Sequence, residues 1–124
     1  MKHKEITVFD EKEEGYVTLL EKFGLSRSMA KIIICLMVHE ECTSREIEVI
    51  TGIKSSTVSI ILKKLREDRI VTADKKAEKP GDRGVMHYSL SGDISNVLTL
   101  LEEKKRKETS LYIDKIKKIK SRLK

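Results

Sequence analysis

A chain of 124 residues has room for one domain with a real but modest core. No stretch approaches the roughly 20 consecutive apolar residues that span a bilayer, and the charged start lacks a signal-peptide core, so a cytoplasmic protein is expected. Charged residues make up 37% of the chain, the net charge is +6, and two isolated cysteines suit reduced thiols rather than a disulfide scaffold.

That charge is unevenly placed. Met1 to Gly24 carries four basic and six acidic residues and Leu25 to Ile53 three and four, so the front is slightly acidic. Lys54 to Arg83 carries nine basic and five acidic residues, and Leu101 to Lys124 ten and four. Positive charge gathered in this way is the asymmetry of a nucleic-acid-binding surface.

The first element expected is a helix opened by Asp10 and Glu13 in a capping-box pattern, with Tyr16, Leu19, Leu20 and Phe23 on one stripe and Gly24 ending it. Ser26 can cap a second helix running through Met29 to His39. Its stretch Ile32 to Val38 is apolar all round, which places it at the centre of the domain. Such a β-branched run also suits a strand, but the cap and the length favour helix. Cys35, His39 and Cys42 could present metal ligands, yet a fourth would have to be the distant His3 or His87, and structural zinc prefers paired close spacings. Neither metal nor cofactor is expected.

Thr43-Ser44-Arg45-Glu46 is another capping-box pattern and starts a short helix, with Ile47 and Ile50 on its apolar face and Gly52 supplying the left-handed residue that ends it. A further helix from about Ser55 to Asp68 places Val58, Ile61, Leu62 and Leu65 on one stripe. Its opposite face carries Ser56, Ser59, Ile60 and Lys63. Two short helices about a Gly-containing turn, the second with small polar and cationic residues outward, are what entry into a major groove requires. Serine hydroxyls can donate or accept at base edges, Lys63 can reach a guanine edge or a phosphate, and Lys54 can pair with the flanking phosphate. Ser44, Arg45, Ser55 and Thr57 complete the DNA-facing set on these helices. Ile60 could touch a thymine methyl or equally pack on another element.

Ile70 to Ala73 reads as a strand, and in Val85 to Leu90 the alternation puts Met86, Tyr88 and Leu90 on one face. Between them Lys75, Lys76, Lys79 and Arg83 surround the turn dipeptide Pro80-Gly81, with Gly84 following. A loop this basic, about residues 74–84, suits the phosphate backbone or the minor groove; a merely solvated hairpin is the alternative. From about Asp93 to Arg122 the pattern is helical again, roughly 45 Å if unbroken. Ile94, Val97, Leu98 and Leu101 form an apolar face, Glu102 to Ser110 is nearly all charge, and Tyr112, Ile116, Ile119 and Leu123 recur at spacings of 4, 3 and 4 residues. So long a helix cannot cover its far stripe on so small a domain, so Leu101, Tyr112, Ile116, Ile119 and Leu123 are expected to meet their copies in a homodimer. The alternative is a frayed, lysine-rich end contributing only electrostatics.

The fold class is therefore mainly α with a small β-hairpin wing: a winged helix-turn-helix over residues 1–92 with an added N-terminal helix, and a long C-terminal helix and basic tail over 93–124. The chain resembles the winged-helix transcriptional regulators of the MarR and TrmB families, especially the small archaeal members. GLSRSMAKIIICLM at Gly24 to Met37 is similar to the helix that precedes the helix-turn-helix in TrmB-like proteins. GIKSSTVSIILKKLREDRIV at Gly52 to Val71 is similar to their recognition helix and its exit, and GDRGVMHYSLS at Gly81 to Ser91 to their wing and second strand. The resemblance implies sequence-specific binding of double-stranded DNA by a dimer, with Lys54, Ser55, Ser56, Ser59 and Lys63 in the reading positions. TrmB proteins often continue into a large sugar-binding domain, for which this chain leaves no room.

No Gly-rich phosphate loop, nucleophile elbow or acid pair is visible, since Gly81-Asp82-Arg83-Gly84 is a hairpin tip with no helix after it, and an enzyme is not expected. Two other functions fit the same fold. One is a protein-interaction module of the transcription or replication machinery, which would tolerate an acidic or apolar face where this chain is polar and cationic. The other is a ligand-gated repressor, for which no pocket is marked in the sequence.

Overall fold

The computed structural model describes residues 9–123. In chain order its elements are α1 (Glu11–Phe23), α2 (Arg27–His39), β1 (Glu41–Thr43), α3 (Ser44–Thr51), α4 (Ser55–Glu67), β2 (Val71–Lys76), β3 (Val85–Leu90) and α5 (Ile94–Arg122). Internal packing divides the chain into two units, one running to Ser91 and the other beginning at Gly92.

Helix α1 starts as its sequence dictates. The Asp10 carboxylate accepts from the Glu13 N–H at 2.7 Å, and the Glu13 carboxylate accepts from the Asp10 N–H at 2.9 Å, so two orphan donors are satisfied reciprocally. The buried stripe differs from the expected one: it holds Val17 and Leu20, while Leu19 is 63% exposed. Residues 17 and 20 lie three apart on one face, whereas Leu19 stands about 100° round the helix from Leu20. On the surface Arg27 of α2 donates to Glu21 at 2.8 Å and to Glu14 at 3.0 Å. These bonds, that to Glu21 foremost, raise the pKa of the guanidinium further.

The Ser26 hydroxyl caps α2 by accepting from the Met29 N–H at 3.2 Å. Ile32, Ile33, Ile34, Cys35 and Leu36 are buried in unbroken succession, which only a helix enclosed on every side allows. Cys35 and Cys42 are buried thiols, and among the described residues no three His, Cys, Asp or Glu side chains converge as metal ligands. His3, the other ligand considered, lies outside the described residues. No described helix is long and apolar enough to cross a membrane.

The sheet has three strands in the order β1-β3-β2, all antiparallel, so the wing hairpin carries a third strand that its sequence did not announce. Glu40, at φ 61°, breaks α2 and turns the chain into β1. Strand β2 also runs further than expected, through Lys76 opposite Val85, because β3 offers a backbone partner along its whole length. The turn is left to residues 77–84. Period-two alternation puts Cys42, Val71, Ala73, Met86, Tyr88 and Leu90 on one face, where Cys42 and Val71 are buried, and Glu41, Thr43, Thr72, Asp74, Lys76, His87 and Ser89 on the other.

Thr43 ends β1 and opens α3. Its hydroxyl accepts from the Glu46 N–H at 3.2 Å while its own N–H donates to the Glu46 carboxylate at 2.9 Å. Gly52, at φ 72°, is the left-handed residue that closes α3. Val58, Ile61, Leu62 and Leu65 of α4 are all buried, as their spacing requires. In the second unit the Asp93 carboxylate accepts from the Asn96 N–H at 2.8 Å and opens the 29-residue α5. Leu101 is buried, whereas Tyr112, Ile116, Ile119 and Leu123, together with Leu111 and Ile113, are exposed.

Candidate nucleic-acid interface

With one stripe of α4 buried, the rest of its surface is determined. Ser55, Ser56, Ser59, Ile60 and Lys63 are exposed and Thr57 is half-buried. Ser56, Ser59, Ile60 and Lys63 recur at three- and four-residue steps and so share the face opposite the core. No side chain caps the start of α4, where Lys54 is exposed at the N-cap. An uncapped helix start offers unpaired N–H donors and the positive end of the helix dipole, both of which suit a phosphate. On α3, Arg45 is exposed and Ser44 is half-buried in the first turn.

In the loop between β2 and β3, Lys79 and Arg83 are exposed. The Asp82 N–H donates to the Lys79 carbonyl at 3.1 Å and closes the turn around Pro80-Gly81. Among the described residues Lys54, Lys63, Lys79 and Arg83 form no ion pair. Their charges are available to a partner.

Lys76 differs from the other wing cations. It belongs to β2 rather than to the loop, and its ammonium lies 2.8 Å and 3.0 Å from the two carboxylate oxygens of Glu41 on β1. His87 of β3 stands between these strands, with Nδ1 2.9 Å from Glu41 Oε1. The hydrogen bond to Glu41 raises the pKa of Lys76, so the side chain stays cationic with its charge engaged. This cross-strand group escaped sequence reasoning because it depends on the register of a three-residue strand; the Glu41-Cys42-Thr43 alternation is the only local trace of it.

The arrangement provides a convex helix face of hydroxyls and one ammonium, one exposed isoleucine among them, and a flanking loop with two unpaired cations. It suits a polyanion with a regular groove.

The family model of the TFIIE alpha subunit matches residues 18–122. No curated protein matches the chain. Among solved structures, TrmBL2, described as an archaeal chromatin protein with a novel mode of DNA binding, aligns at 19% identity and a TM-score of 0.68 over 90% of this chain; the chain spans 41% of that protein. The transcriptional regulator Tm0710 from Thermotoga maritima aligns at 19% identity and a TM-score of 0.54, over 89% of this chain and 84% of its own. MepR, a transcription regulator of the multidrug efflux pump MepA of Staphylococcus aureus, aligns at 16% identity and a TM-score of 0.52, over 92% and 91% of the two chains. At these identities the likeness is one of fold, and the fold is the winged helix of transcription regulators.

Proposed function

The chain belongs to the TFIIE alpha subunit family, and from that premise we propose that it is a cytoplasmic transcription regulator that binds duplex DNA in a sequence-specific manner. Helix α4 enters the major groove and the β2–β3 loop lies on the phosphates or in the adjoining minor groove. The observation that carries this reading is the outward face of α4, where Ser56, Ser59 and Lys63 are exposed with no ion pair on Lys63. The three structural relatives named are a DNA-binding chromatin protein and two transcription regulators, which supports the same class of partner. The functional unit is a homodimer joined through Tyr112, Ile116, Ile119 and Leu123 of α5, and its operator is an inverted repeat with half-sites about 34 Å apart.

Fluorescence-anisotropy titration of labelled duplexes over a range of salt tests the proposal. Affinity should fall steeply with salt, by about 0.9 in the logarithmic slope for each phosphate contact. Substitution of Ser56, Ser59 or Lys63 should change which sequence is preferred. If neither these substitutions nor alanine at Lys79 and Arg83 alters affinity, a second reading takes over: a protein-interaction module of the transcription machinery. That reading draws on the family, named for a subunit of a transcription factor, and on the exposure of Ile60.

A further inference from the structure

Ile60 is 70% exposed in the middle of the outward face of α4, one turn after Ser56, beside Ser59, and three residues before Lys63. Its own chain does not explain it. The side chain lies outside the core, and a β-branched residue on an open helix face is a poorer helix former than alanine or lysine. A polar helix face with one branched apolar side chain at its centre matches a surface that is polar at its edges and apolar at one point. The major groove is such a surface wherever a thymine C5-methyl group stands beside the nitrogen and oxygen edges of neighbouring bases. The hydroxyls of Ser56 and Ser59 and the ammonium of Lys63 surround Ile60 with groups suited to those edges.

We infer that Ile60 is a specificity-determining residue that recognises thymine by covering its C5-methyl group. This rests on the DNA-binding reading above and deepens it by naming the base. Covering one methyl group gives about four-fold in affinity, which is the expected size of the effect.

A random-sequence duplex library is selected against the full chain, and a tight-binding duplex is remade with deoxyuridine replacing each thymine in turn, so that only the methyl is removed. At one thymine in each half of the site, uracil should weaken the wild-type protein about four-fold. The Ile60→Ala variant should bind the thymine and uracil duplexes equally, with an unfolding midpoint no lower than wild type. If wild type tolerates uracil throughout, or if Ile60→Ala discriminates as wild type does, the inference is overturned while DNA binding stands, and Ile60 is left to a protein partner. If the library yields no enriched sequence, the DNA-binding reading falls and this inference with it.

Discussion

At the scale of single residues, the wing cations divide by what already holds them. Lys79 and Arg83 are exposed and unpaired, whereas Lys76 gives its charge to Glu41 at 2.8 Å. Alanine at Lys79 or Arg83 should therefore weaken binding to every duplex and reduce the salt slope by about 1, while alanine at Lys76 should change both by less. Glu41→Gln should tighten binding, because it removes the carboxylate charge on β1 and leaves the Lys76 ammonium uncompensated; anisotropy titrations at two salt concentrations would show all four effects. Because the folded-state pKa of Lys76 is raised above its ordinary value of 10.5, the Glu41 pair contributes fully below that pH and is lost only as pH climbs through the higher folded value. DNA affinity should show no Lys76-linked change between pH 6 and 8. Arg69 presents another kind of singularity, a non-glycine residue at φ 62° just after α4. Arg69→Gly should relieve that strain and raise unfolding stability by up to about 1 kcal/mol, measured by urea denaturation.

At the scale of elements, the wing depends on Gly84. A Cβ there would meet the Lys76 carbonyl oxygen at 2.9 Å, and the residue sits at φ 78°. Gly84→Ala should distort the β2–β3 loop and lower DNA affinity several-fold, while the helical circular dichroism of the chain persists because the atoms nearest such a Cβ belong to Lys75 and Lys76 of β2. Thr43→Ala removes one half of the α3 capping box and should cost about 1 kcal/mol in urea unfolding. The same elements show what could be read from the chain unaided. The helix starts at Asp10, Ser26 and Thr43 and the helix end at Gly52 are legible because caps and left-handed glycines act within a few residues of sequence. The α4 stripe was legible because four apolar residues repeat at one period. Strand β1 was not, since three residues set no period and their partner β3 lies beyond α3, α4 and β2 in sequence. Val17 and Leu19 are both aliphatic and both near Leu20 on the helix, and only the packing of α1 chooses between their faces. The outward face of α4 is deducible as the complement of its core stripe; the engagement of Lys76 by Glu41 is not, because it follows from strand register.

At the scale of the whole molecule, the exposed Tyr112, Ile116, Ile119 and Leu123 set the expectation for assembly. Sedimentation should show a dimer for the full chain and a monomer for a version ending at Leu101. Lys115 and Lys120 flank this stripe, so two copies bring like charges together; added salt should tighten the dimer even as it weakens DNA binding. A full chain that stays monomeric at high salt would exclude the seam. The continuity of the first unit has a consequence for the nucleic acid itself. Thr43 pairs with His87 inside the sheet and, by its own side chain, caps the helix that leads into α4. The hairpin and the helix pair ending in α4 are thus joined through one residue, as the jaws of a caliper are joined. On the proposed reading, a duplex of the wrong local width must deform to fit, and the energy of that deformation falls on the DNA. Flexible pyrimidine–purine steps between the two contacts would then be favoured at base pairs that no side chain touches.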